Sequence, residues 1–310
     1  MISIGMTTYN GERFLREQLD SIVSQSVSDW ELIICDDCSS DSTWEILEEY
    51  EKRDSRIKIY KNEINLGFKK NFEKAISLCK GEYIALSDQD DIWNSNHLEI
   101  LLENIQEVTA SSGNATIIDA EGNQADYLLS EGDKYYHSGD DIDKLFTILC
   151  YRNPFFGAIS LYRTKDFLNL ALPIPEFITY HDLWFSAVAC CMSGLSYTFE
   201  PLIKHRMHGK NESGSHHITF LRQIKATLNN DRKEFSIQRI KICDELLNRI
   251  PDMPDEIKEN ILRIRDYHEF RALKKRIRAI KFLKRYYKQI FSTDNYKQFF
   301  SRCIGILISG

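Results

Sequence analysis

The feature that most constrains this chain is a rhythm in its first ninety residues. Short apolar runs at 2–8 (ISIGMTT), 30–35 (WELIIC), 57–60 and 82–87 (EYIALS) alternate with stretches of helical spacing. Between the first two, Phe14, Leu15, Leu19, Ile22 and Val23 fall on one helical face behind Asn10, a good N-cap. Ser42 with Glu45 reads as a capping box for a helix over about 42–53. Leu66-Gly67 opens a third helix, with Phe68, Phe72, Ala75, Ile76 and Cys79 on one face and Gly81 closing it. Strands joined by single helices cross over right-handedly and give a mainly parallel sheet, hence an α/β fold. Ligands on such sheets bind at the carboxyl ends of the strands. The polar clusters Thr8-Tyr9-Asn10, Asp36-Asp37 and Asp88-Gln89-Asp90-Asp91 fall at those ends.

The middle of the chain is less regular. The sequence predicts a helix over about 96–109, a strand at 115–119, a turn at 120–123 and a buried strand over 155–162. In that strand Gly157 would allow close backbone approach. A loop follows at 173–175, a buried helix opens at His181-Asp182, a short strand is expected at 197–200, and the pattern is helical from about 217, broken at 251–254. The expected organisation is an α/β domain over 1–218 and a helical region over 219–310. Charge divides similarly. Residues 221–310 carry 21 Lys and Arg against 11 Asp and Glu, whereas residues 1–220 carry 19 against 35. An acidic body with a basic tail is not the profile of a nucleic-acid binder.

The N-terminus, MISIGMTTYNGERF, has neither a basic nor an apolar leader segment, and no apolar run of about 18 residues occurs. The expected location is therefore the cytoplasm. The stretch 271–290 holds nine basic residues and no acid, with Leu273, Ile277, Ile280, Leu283 and Ile290 mostly on one side. Such a helix either lies on the anionic inner face of the cell membrane, aided by Ile304 to Ile308, or packs on the domain with a solvated basic face. Eight scattered cysteines include one CxxC (Cys35, Cys38) with no second pair, so reduced thiols are expected rather than a zinc site.

Clustered carboxylates in SDQDDIW (87–93) repel one another unless a cation neutralises them. Hard oxygen ligands favour Mg²⁺ or Mn²⁺, with substrate phosphates completing the shell. The alternative is a solvated acidic loop. Asp36-Asp37 suits a ribose or base contact, or a helix cap, although Asp41 or Ser42 already supplies that cap.

At this point the chain resembles the inverting family 2 glycosyltransferases, of GT-A fold. The resemblance is carried by TTYNGERFLREQLDSIVSQS (7–26), ELIICDDCSSDST (31–43), NLGFKKNFEKAI (65–76) and GEYIALSDQDDIW (81–93), and later by NPFFGAISLYRT (153–164), YHDLWFSAVA (180–189) and HRMHGKNESG (205–214). It implies a nucleotide-sugar donor held by Thr8, Tyr9, Asn10, Asp36, Asp37, Asn65, Gly67, Lys70, Asp88, Gln89 and Arg206. It further implies a metal held by Asp90, Asp88 and His208, and a general base at Asp182, which otherwise reads as an N-cap. The acceptor pocket would use Asn153, Gly157, Trp93 and His181. His216 and His217 read as loop residues. The SDQDDIW and YHDLW forms look most like a rhamnosyltransferase branch, so dTDP-rhamnose is the first expected donor, with UDP-hexoses and UDP-N-acetylhexosamines as alternatives. The expected acceptor is a saccharide or lipid-linked saccharide in cell-surface polysaccharide synthesis. Three positions depart from the pattern: Cys38 stands in place of a common Gly, Asn114 in place of a common Asp, and Ala158 where small polar residues are frequent. A dehydrogenase would need GxGxxG after the first strand, which is absent. An inactive glycan-binding scaffold would be free to lose Asp90 or Asp182, and both are present.

Overall fold

The computed structural model describes residues 1–133, 139–208 and 232–291, with positions 299, 302, 303, 306 and 307. Lys210, His216, His217, Ile304 and Ile308 lie outside the described residues. The N-terminal rhythm becomes β1 (Ile2–Thr8), α1 (Leu15–Val23), β2 (Trp30–Asp36), α2 (Thr43–Arg53), β3 (Ile57–Lys61), α3 (Phe68–Leu78) and β4 (Tyr83–Ser87). β5 (Ile92–Trp93), α4 (His97–Ile105), β6 (Ala110–Ile118), β7 (Gln124–Leu128), α5 (Leu129–Asp133) and α6 (Asp141–Cys150) follow. Then come β8 (Ser160–Arg163), α7 (Phe167–Ala171), α8 (His181–Cys191) and β9 (Leu195–Arg206). The tail forms α9 (Arg232–Arg249), α10 (Asp255–Ala272) and α11 (Arg276–Phe291).

These strands make one sheet in the order β3-β2-β1-β4-β8-β6-β9-β5, with β7 on β6. The first four are parallel, as single-helix crossovers require. β8 runs antiparallel to both β4 and β6, and β9 runs parallel to β6. The strand ends of β1, β2 and β4 therefore share one edge, which brings their polar clusters together.

Several elements differ from their sequence expectation for local reasons. Asn10 does not cap α1. It has φ 49°, and its side-chain oxygen accepts from the Ser40 N–H at 2.8 Å, tying the β1 loop to the β2 loop. The capping box at Ser42 does not form; Asp41 accepts from the Thr43 N–H at 3.0 Å instead. Of the expected strand over 155–162 only 160–162 is extended, as the start of β8, after a 3-10 turn at Gly157–Ile159. β6 starts five residues before the expected strand because its serines are satisfied locally. Ser111 donates to the Leu101 carbonyl and Ser160 to Ser112. β9 runs far beyond 197–200, to Arg206, as the partner of both β6 and β5.

The stretch 271–290 is not one helix: α10 stops at Ala272, Lys274 has φ 55°, and α11 restarts at Arg276. Its apolar face is used in packing. Ala279, Leu283 and Ile290 are buried in the same core as α6 and α8. Phe282 stacks on Tyr267 (4.6 Å) and Tyr286 on Phe146 (4.9 Å). Full burial of Leu283 and Ile290 contributes about 1.5–3 kcal/mol each. Leu273 (61% exposed) and Ile277 (73%) are left outside. No helix among the described residues is long and apolar enough to cross a membrane.

Candidate active site

A cleft of about 1320 Å³ opens over the carboxyl ends of β1, β2 and β4. Its strand-end wall carries Thr8, Tyr9, Asn10, Asp37, Asp88, Gln89 and Asp90, with Asn65 and Gly67 from the loop before α3. Asp37 organises this wall. Its carboxylate accepts from the Asn62 amide (2.7 Å), the Leu66 N–H (2.7 Å) and the Gly67 N–H (2.8 Å), so the turn at Gly67, with φ 76°, wraps around it. An ionised carboxylate has about four acceptor positions, so one stays available to a ligand. Gln89 is paired to the Tyr9 backbone, accepting from its N–H (2.9 Å) and donating to its carbonyl (3.2 Å). That clamp joins the β1 loop to the acidic loop.

The acidic loop is held by the end of β9. Asp91 is fully buried and accepts from the His205 ring (2.9 Å) and the Arg206 N–H (3.0 Å). Asp90 contacts His208 at 2.8 Å, and the His208 ring stacks on Phe14. Burial, then the charges of Asp91 and Asp90, push the Asp88 carboxyl up to about 8. Burial alone would lower the His205 imidazole, but Asp91 with Asp88 and Asp90 outweighs it and raises it to about 9.

The other wall comes from α8, the segment before β8, and the tail. Asn153, Gly157, His181 and Asp182 all face the cleft. A Cβ on Gly157 would lie 2.6 Å from His181 Nε2, so the ring can sit there only against glycine. The Asp182 carboxylate accepts from the Leu183 N–H at 2.6 Å, in the first turn of α8. Burial pushes it up to about 6, with the Leu183 N–H and the Asn153 side chain acting the other way.

Four expected site residues are not on the cleft surface. Asp36 is sealed below it, accepting from Thr8 (2.9 Å) and from both the N–H and the hydroxyl of Ser39. Lys70 points away and pairs with Glu73 at 2.7 Å. Trp93 follows the alternation of β5 into the core, with its ring 4.1 Å from that of His97. Arg206 is buried beneath the acidic loop, donating to the Asp90 carbonyl (2.9 Å) and to Glu17, so it braces the loop rather than facing a diphosphate. Asn114 is likewise structural, bonded to Ser130 and the Phe199 carbonyl. Sequence reasoning missed Arg13, Phe14, Asn71, Arg152, Phe156, Phe235 and Arg239, all of which line the cleft. Arg239 and Phe235 come from the tail, where no local pattern marks a residue that points into a distant pocket.

The donor set suits a hard divalent cation: carboxylates that raise one another, with one imidazole. Among the described residues no three His, Cys, Asp or Glu side chains converge as a ready-made metal site. Asp90 and His208 would supply two ligands at most, leaving the rest to substrate oxygens.

Residues 3–165 match the family model described as glycosyl transferase family 2. The chain belongs to that family. This family 2 chain is 40% identical over 101 residues to the UDP-Glc:alpha-D-GlcNAc-diphosphoundecaprenol beta-1,3-glucosyltransferase WfgD of Escherichia coli, an alignment covering 32% of this chain and 39% of WfgD. It is 29% identical over 218 residues to an uncharacterized glycosyltransferase of Haemophilus influenzae, covering 69% of this chain and 67% of that one. The fold is shared with S. aureus TarS 1-349, solved in complex with UDP, at a TM-score of 0.59 and 20% identity, over 87% of this chain and 71% of that chain.

One departure from the family pattern is legible in the backbone of this chain. Cys38 follows the two acids with φ 64°, the left-handed conformation that favours glycine. Its Sγ donates to the Asn62 carbonyl at 3.1 Å. The left-handed conformation costs an L-residue roughly 1–2 kcal/mol, less what glycine loses in chain entropy. Cys38→Gly is therefore expected to stabilise the protein by up to about 1 kcal/mol. A lowered urea midpoint would show that the thiol contact outweighs the strain.

Proposed function

We propose that this chain transfers a sugar from a nucleoside-diphosphate donor to an acceptor hydroxyl with inversion, Asp182 acting as the general base. The observation that carries the reading is one cleft in which an enclosed carboxylate near pKa 6 shares space with the clustered acids of the β4 loop. In the displacement, the acceptor oxygen bonds to the anomeric carbon while its proton passes to Asp182. The bond to the diphosphate breaks, and its electron pair leaves with the nucleotide. A base with a pKa near the working pH is effective in this role. One base suffices because a divalent cation on Asp90 and His208, when bound, neutralises the leaving group. Thr8, Tyr9, Asp37, Asn65 and Gly67 would hold the nucleoside, and Asp88 and Gln89 the sugar-phosphate side. Asp36 and Arg206 act as positioning residues below that surface.

The base follows from what ionises. Activity should fall as pH drops through about 6, because the protonated Asp182 carboxyl cannot accept a proton. Asp182→Asn should keep nucleotide affinity and lower kcat by about 10²–10⁴-fold. Retained turnover in that variant removes Asp182 from the role.

The donor is a pyrimidine nucleotide sugar in this reading. The name of WfgD specifies UDP-Glc and the TarS structure holds UDP, whereas the SDQDDIW and YHDLW blocks resemble enzymes that use dTDP-rhamnose. Calorimetric titration of UDP and dTDP, each with and without Mn²⁺, separates them. Metal-dependent binding of one is expected, weakened at least tenfold by Asp90→Ala, and equal binding in that variant would move the metal site elsewhere. The name of WfgD also supports a lipid-linked saccharide acceptor and a role in cell-surface polysaccharide assembly.

An inner-membrane location is favoured by one observation. Leu273 and Ile277 stand exposed within the basic stretch from Arg271 to Lys288, an arrangement suited to shallow insertion among anionic headgroups. The double variant Leu273→Asp, Ile277→Asp should lose cosedimentation with phosphatidylglycerol vesicles. Undiminished cosedimentation would exclude this surface.

A further inference from the structure

The tail brings a buried guanidinium to the cleft with which no carboxylate among the described residues forms an ion pair. Arg239 of α9 lines the cleft and is only 5% exposed, yet its Nε has no hydrogen-bond partner among the described residues. Its guanidinium rests on the Phe235 ring at 4.7 Å, and Arg271 of α10 lies over the same ring at 5.5 Å. Arg271 also has a buried nitrogen, Nη1, without a partner among the described residues. Among the described residues neither side chain makes an ion pair. Arg152 lines the cleft as well. Burial, then the charge of Arg271, lowers Arg239 to about 10, which still leaves it charged at neutral pH.

Two guanidinium groups taken out of water next to each other are unfavourable unless an anion joins them. Guanidinium geometry matches phosphate oxygens in pairs of hydrogen bonds. The location decides which anion. Arg239 belongs to the wall built by α8 and α9, which carries Asp182, and its charge acts on the Asp182 carboxylate. The donor's diphosphate belongs at the strand-end wall with Asp90 and His208. We infer that Arg239, backed by Arg271, is a phosphate subsite for the acceptor, so that the hydroxyl to be glycosylated is presented on a molecule that carries a phosphate ester. This assignment rests on the proposed transfer reaction for the word acceptor, but the phosphate subsite itself can be tested without turnover.

The test is calorimetry on the full chain with EDTA present, so that no divalent ion recruits phosphate to Asp90. The probes are methyl phosphate, geranyl phosphate and glucuronate. Methyl phosphate is expected to bind, and Arg239→Gln to weaken it by about tenfold or more, with Arg239→Lys intermediate and Asp90→Ala unchanged. If Arg239→Gln does not fold, Arg271→Gln should show the same direction of loss. Tighter binding of geranyl than of methyl phosphate identifies a lipid-linked phosphate; equal binding identifies phosphate on the saccharide alone. No binding of either phosphate, loss in Asp90→Ala rather than in Arg239→Gln, or stronger binding of glucuronate overturns the assignment. UDP titration with Mn²⁺ on the same samples reports on the transfer reading separately, because nucleotide binding should survive Arg239→Gln.

Discussion

Three carboxylates within four residues, Asp88, Asp90 and Asp91, end a parallel strand, and their repulsion dictates what must surround them. Asp91 lies wholly out of water, and breaking a buried charge pair typically costs about 3–5 kcal/mol. The end of β9 meets that demand. The His205 ring and the Arg206 N–H bond Asp91, the Arg206 guanidinium holds the Asp90 carbonyl, and His208 holds the Asp90 carboxylate. This is why β9 runs to Arg206 beside β6 and β5 rather than stopping near residue 200. The interaction ties the end of β9 to the loop after β4 across more than a hundred residues of sequence and fixes the acidic loop as one wall of the cleft.

The second wall depends on helices. α8 is buried on nearly all sides and carries His181 and Asp182 at its N-terminal end, where a carboxylate is favoured by the free N–H groups. α9 and α10 pack with α6 and α8 in one core, so the tail is part of the machinery rather than an appendage. The amphipathic look of 271–290 has the same origin. Most of its apolar side chains are spoken for by α6 and Tyr267, and two remain outside.

The sequence made the first half of the sheet readable because each strand there is a continuous apolar run bounded by turn residues. The same holds for the strand-end acids, whose position follows from topology alone. What stayed hidden depends on contacts between distant segments. Ser111 and Ser112 look polar but are satisfied inside β6, so that strand is longer than its apolar run. Trp93 and Arg206 sit within two or three residues of true cleft residues, and only the alternation of β5 and the bracing of the acidic loop turn them inward. Asp36 and Asp37 are adjacent acids with different fates: one is consumed beneath the surface by Thr8 and Ser39, the other forms it. Arg239 was not legible at all, since a helix's sequence does not tell which remote pocket one of its side chains enters.

The distribution of charge around the cleft then bears on what the cleft is for. Its strand-end wall holds carboxylates that raise one another, and its helical wall holds the Arg239 guanidinium, whose Nε has no partner among the described residues. Placed together, these groups would neutralise each other and stabilise the empty fold. No ion pair among the described residues joins them, and Asp182 stands with the helical wall, its carboxyl raised by enclosure. At about 1320 Å³ the cleft also exceeds the roughly 300–1,000 Å³ that suits one small ligand. In the transfer proposed above, such a cavity would take two charged reactants rather than one, a nucleoside diphosphate at the strand-end wall and an anionic acceptor at the helical wall, with Asp182 receiving the proton where they meet.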